Sequence, residues 1–257
     1  MHGQSEYTPT KQDHLRGLLT IGTHGWNPLT KIDRGIRWTH HEALFVDCTS
    51  GNGRDEQGND GSPLIINEHF RRVGYPFRQL CCEQQASSFV RLQQTGIDVD
   101  FRLGKYEEVA SGWLDLQNVT KPAMGFFYCD PNGVKDLLDG YDFFRKVSAD
   151  DRYKRMDLIF HWSVTAYERS CGKKLKWAND ELIGIIKQIL SLKKYAIMRD
   201  KLKSHGWIFM YLHNSDKIDG RWRKEGFLPA DEWMDRYLLA NGQQPLFTDE
   251  VLQGLAA

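Results

Sequence analysis

One regularity constrains this chain more than any other: short apolar runs alternate with stretches of helical spacing, and nearly every run ends on a polar residue. "ALFVD" stops at Asp47, "FRQLCCE" at Glu83, "MGFFYCD" at Asp130, and "MDLIFHW" is followed by Ser163. Between these runs lie SPLIINEHFRRV, ASSFVRLQQTG and YEEVASGWLDLQ, with NDELIGIIKQIL after the last, and their apolar residues recur at three and four positions. Apolar runs of this length suit strands covered on both faces, so the order predicts a mostly parallel sheet joined by right-handed helical crossovers. The series closes differently. "YAIMR" and "WIFMYLH" are separated only by the polar DKLKSHG, which suits an antiparallel hairpin better than another crossover.

A turn inside this pattern raises the question of function. Asp130-Pro131-Asn132-Gly133 has the composition of an ordinary tight turn. The following VKDLLDGYDFFRKV places Val134, Leu137, Leu138, Tyr141 and Phe144 at helical spacing, so the turn joins a strand to a helix. In open parallel sheets ligands bind beyond the carboxyl ends of the strands. The candidates there are Asp47-Cys48-Thr49-Ser50-Gly51-Asn52-Gly53, Glu83, Gly104-Lys105-Tyr106, the Asp130 turn, and His161-Trp162-Ser163. Gly51 and Gly53 let backbone approach a ligand closely, and Asp47 is placed to accept from a bound cation or hydroxyl. Glu56 stands where a third glycine would complete GxGxxG, and no GK[ST] follows, so neither the dinucleotide fingerprint nor a P-loop is present. Glu83 reads equally as an exposed strand end, and His161 beside Trp162 reads as packing or as chemistry.

At 257 residues the chain suits one domain: residues 1–40 as an N-terminal helical extension with a helix over Lys11 to Leu19, 41–215 as the core, and 216–257 as a C-terminal extension with a helix over Asp231 to Leu239. Ser62, followed by Pro63, reads as a helix N-cap. No membrane-length apolar window occurs and the start MHGQSEYTPTKQDH is no signal peptide, which predicts a cytoplasmic protein with no membrane partner. Cys48, Cys81, Cys82, Cys129 and Cys171 form no CxxC pair and read as buried free thiols, with no metal site. The net charge is zero, yet residues 152–224 carry 17 basic residues against seven acidic ones. Such a segment is either a solvated surface or a face for a polyanion, DNA or RNA. The loop SVTAYERSCGKKLKW interleaves Tyr167 and Trp177 with Arg169, Lys173, Lys174 and Lys176, a mixture suited to phosphates and unstacked bases.

The element order with its closing hairpin resembles the Rossmann-like fold of class I S-adenosylmethionine-dependent methyltransferases, a seven-stranded, mostly parallel sheet. Asp-x-x-x-Gly-x-Gly at Asp47, Gly51 and Gly53 resembles their cofactor loop. The resemblance implies that Glu83 binds the ribose hydroxyls, with Cys48, Thr49 and Tyr106 also near the cofactor. Asp130-Pro131 is similar to the fourth-strand motif of enzymes that methylate amino nitrogens, where the side chain and a neighbouring carbonyl accept from the target amine. A closer resemblance, through "VDCTSGNGRDEQGNDGSPLII", "YCDPNG" and "HNSD", is to the methyltransferase-like three-Cys-motif partner proteins and their phage or plasmid relatives, with departures at Cys48, Asn52 and Asn132. It implies S-adenosylmethionine as cofactor and Asp130, Pro131 and Asn132 at the reacting centre. His161, Trp162, Tyr167, Arg169 and Lys173 would meet the substrate, an exocyclic amine of a nucleic-acid base. Since an aromatic usually stands at Asn132, a related binding or regulatory protein without catalysis is the alternative reading.

Overall fold

A computed structural model describes residues 8–23, 43–74, 76–120, 122–131, 138–163, 180–200, 207–214, 223 and 226–240. Helix α1 (Thr8–Thr23) precedes β1 (Ala43–Asp47), α2 (Ser62–Val73), β2 (Phe77–Glu83), α3 (Ala86–Gln93), β3 (Asp100–Leu103), α4 (Tyr106–Asp115) and β4 (Gly125–Cys129). Then come α5 (Tyr141–Ala149), β5 (Asp157–Ser163), α6 (Asp180–Leu190), β6 (Tyr195–Asp200), β7 (Trp207–His213), β8 (Phe227–Pro229) and α7 (Ala230–Ala240). One sheet results, in the order β3-β2-β1-β4-β5-β7-β6-β8. Strands β1 to β5 pair in parallel, while β7 is antiparallel to both β5 and β6.

This is a Rossmann-like α/β fold with a mostly parallel sheet, and the expected hairpin is inserted so that its second strand lies inside its first. The strand count is eight, not seven. Phe227–Pro229 adds an edge strand on β6, so part of the stretch beyond residue 215 joins the sheet. A three-residue strand ending in proline carries no alternation to read, and proline is tolerated only because this is an edge.

The central strands are buried along their whole length: β1 and β4 have no exposed residue. Apolar residues on the two sheet faces enter two separate clusters. One gathers Val46, Leu80, Phe127, Phe160 and Met210 under α4, α5 and α6. The other gathers Phe45, Phe70, Phe126, Ile159 and Tyr211 under α1 and α2. The alternation of Phe126 and Phe127 between clusters follows from the two-residue period of a strand. At Gly125 a side chain is excluded, because a Cβ would lie 1.7 Å from the Leu44 carbonyl oxygen and φ is +144°. No described helix is long and apolar enough to cross a membrane.

One local expectation changes. Gly61, with extended backbone, takes the N-cap position of α2, Pro63 begins the helix as expected, and no side chain caps it. The Ser62 hydroxyl acts instead on Asp47. Arg54 to Gly61 is a closed loop with its own frame: Arg54 and Asp60 form a β-bridge and an ion pair at 2.9 Å, and Asp55 accepts from the backbone N–H groups of Gln57 and Asn59.

Candidate functional site

The carboxyl ends of β1, β2 and β4 open into a cleft of about 280 Å³. Its floor is set by the register: Asp47 ends β1 beside Cys81 of β2 and Tyr128 of β4, so β2 and β4 run past it, to Glu83 and Cys129. The backbone past β1 then passes between its neighbours, Cys48 N–H donating to the Tyr128 carbonyl at 2.8 Å and Ser50 N–H to that of Cys82 at 3.0 Å. Gly51 follows with φ +58° and open space beside it, so the loop presents bare backbone to the cleft. Gly53 is glycine for a different reason. Its φ is +78°, and a Cβ would lie 2.6 Å from Thr95 Cγ2, so this position is closed by the chain itself.

Asp47 is fully buried and acts on that loop. Thr49 N–H donates to Asp47 Oδ1 at 3.1 Å, whereas Oδ2 has no hydrogen-bond partner. Burial pushes its carboxyl up to about 7, against the lowering influence of the Ser62 hydroxyl, the Thr49 N–H and the Ser50 hydroxyl. Asp47 therefore shapes the glycine loop from beneath, and the cleft is lined by the residues that follow it.

Glu83 lines the cleft, half-buried, with Oε1 accepting from Gln85 N–H at 2.7 Å. Tyr106 lines it from the start of α4, its ring held by Phe143 and Phe144. Asp130 and Pro131 close the side opposite Glu83. Asp130 is fixed twice: its N–H donates to Thr49 Oγ1 at 2.7 Å, and its Oδ1 lies 3.3 Å from Nδ1 of His161. His161 is 1% exposed and sits behind Asp130, so it reaches the cleft only through that carboxylate. Cys48, Thr49, Gly51, Gly53, Glu83, Tyr106, Asp130 and Pro131 thus meet at one site. Trp162 lies on β5. Asn132, Tyr167, Arg169 and Lys173 fall outside the described residues.

Five carboxylates, Asp55, Glu83, Glu107, Asp130 and Asp139, line the cleft against two cationic side chains, Arg54 and Lys105, so its field favours a cationic ligand. The basic segment is less available than its composition suggests. Arg152 pairs with Asp150 and Asp115, Lys154 pairs with Asp151, and Lys193 is buried, donating to the Lys154 carbonyl at 3.0 Å. Cys48, Cys81, Cys82 and Cys129 are buried and free, as expected. Sequence reading missed Gln12 and Leu15 of α1, which also line the cleft. No motif marks them, because α1 is brought to the site by packing alone.

No protein-family model and no curated protein sequence matches this chain. Among solved structures it is similar to a chain of a fibrillarin/Nop5p complex, with 10% identity over 70% of this chain and 79% of that one and a TM-score of 0.44. It is similar to an rRNA methylase from Streptococcus thermophilus, at 12% identity over 68% and 89%, TM-score 0.38. A TehB-like SAM-dependent methyltransferase from Corynebacterium glutamicum ATCC 13032 Kitasato matches at 9% identity over 81% and 98%, TM-score 0.40.

Proposed function

We propose that the chain is an S-adenosylmethionine-dependent methyltransferase acting on an exocyclic amino group of a nucleic-acid base. The observation that carries this reading is the convergence, in one acid-lined cleft, of a bare glycine loop, a strand-end glutamate and a doubly fixed Asp130. The residues present fit the cofactor: open space beside Gly51 gives a cradle that a Cβ would fill, Glu83 is a carboxylate for ribose hydroxyls, and the acidic lining suits a sulfonium cation. When bound, S-adenosylmethionine supplies an activated methyl group.

The chain's own part is positioning. Asp130 accepts one N–H of the amine, and the Pro131 carbonyl accepts the other. The nitrogen lone pair is thereby aimed at the methyl carbon, which is the source of rate in a reaction whose donor is already activated. As the nitrogen gains the methyl, its surplus proton passes to the Asp130 carboxylate. Thr49 fixes the Asp130 backbone and His161 contacts its carboxylate, which saves the cost of ordering the group during the reaction.

Calorimetric titration with S-adenosylmethionine and S-adenosylhomocysteine, followed by incubation with labelled methyl donor and separate DNA, RNA and protein pools, tests the proposal. Saturable binding and label in nucleic acid are expected. No binding of either nucleoside would leave a binding or regulatory protein with this fold.

A further inference from the structure

Gln12 is a buried cleft-lining residue whose amide the proposed reaction leaves unused. It is 6% exposed, and no described residue bonds its amide. Neither of its amide atoms is sealed from solvent, so the little surface it keeps opens on the cleft. An amide with so small an opening to water is poorly solvated, and few native side chains this deeply set go without a partner. A ligand that offers an acceptor to its NH2 supplies the missing partner.

Its position along the cleft can be traced. His14, two residues on in α1, packs its ring edge against Phe209 at 6.2 Å, and Phe209 lies 5.6 Å from His161. His161 in turn contacts Asp130. These contacts set His14, half a turn from Gln12, against β7 on the Asp130 side of the sheet, while Glu83 and Lys105 lie at the ends of β2 and β3.

We infer that Gln12 reads the methyl acceptor: its NH2 donates to the ring nitrogen beside the exocyclic amine, whose own N–H groups go to Asp130 and Pro131. The inference rests on the methyltransferase reading and narrows its substrate to amino bases whose ring nitrogen on the Watson–Crick edge is unprotonated, adenine or cytosine. Hypoxanthine and uracil present a carbonyl beside a ring N–H at that edge and place acceptor against acceptor and donor against donor.

The test uses the full chain, short single-stranded oligonucleotides carrying one adenine, cytosine, hypoxanthine or uracil, and free adenosine monophosphate as a separate arm to distinguish a polymer from a nucleotide ligand. Wild type should prefer the amino bases. Gln12→Ala, and Gln12→Glu, which keeps the shape and the acceptor but cannot donate, should weaken acceptor binding and raise its KM on the order of tenfold to hundredfold. Affinity for S-adenosylmethionine should stay within about twofold in both. Loss of cofactor affinity with the acceptor unmoved would make Gln12 a cofactor residue and overturn the inference, as would unchanged base preference in a folded variant. Should wild type bind no S-adenosylmethionine, the methyltransferase reading falls, yet equilibrium binding of the same oligonucleotides still decides whether Gln12 discriminates among bases.

Discussion

Replacing Asp47 by asparagine should change how stability depends on pH, and the structure fixes both sign and size. The carboxyl is wholly buried and its pKa rises from 3.8 to about 7, chiefly through desolvation. Between those values the folded chain keeps a proton that the unfolded chain releases. The contribution is therefore complete below about pH 4 and is lost as pH rises through about 7. A shift of roughly three units at 1.36 kcal/mol each makes the charged, buried carboxylate cost roughly 4 kcal/mol at pH 8. Asp47→Asn removes the titration but puts an NH2 where Oδ2 has no partner, a penalty of about 1–3 kcal/mol at every pH. Urea denaturation across pH 4 to 8 should find the variant less stable at the acid end and more stable, by about 1–3 kcal/mol, at the alkaline end. A constant difference between the two curves across that range would refute the buried-carboxylate argument.

Asp130→Ala should abolish methyl transfer while calorimetry shows cofactor affinity nearly intact; full activity would remove the proposed mechanism. Gly53→Ala should lose about 2–4 kcal/mol in chemical denaturation, combining a positive φ with the clash against Thr95, and it should weaken S-adenosylmethionine binding in titration. Lys193, lowered to about 8 mainly by burial, favours its neutral form when folded. Its presence therefore costs stability that is regained as pH rises from about 8 towards 10.5, so Lys193→Met should flatten the stability profile there, and a wild-type profile already flat would contradict it. Nucleic-acid affinity should fall steeply with salt through counterion release, and a flat response would point away from a polyanion.

The strand ends were legible because a buried run can end only where the chain meets something polar, and Asp47, Glu83 and Asp130 each mark that point. Their roles were less legible. Asp47 looks like a ligand in sequence, but its side chain turns beneath the loop, which only the register of β1 with β2 and β4 reveals. Ser62 reads as a helix cap by position, yet Gly61 takes that place and the hydroxyl serves Asp47. Gly51 and Gly53 look equivalent, and only packing separates the one facing open space from the one held by Thr95. Gln12 and the β8 strand have no local signature, since a lone helix amide and a three-residue edge are defined by what lies beside them.

The placement of β7 between β5 and β6 also orders events in time. Emerging from a ribosome, β6 has no neighbour to dock on until Trp207–His213 has been made, and β5 meanwhile presents an open, apolar flank. A product cut short near residue 205 would keep the β1 to β5 sheet with that flank exposed, ready to pair with other chains. The last fifth or so of the molecule is thus what keeps the rest from sticking to its own copies.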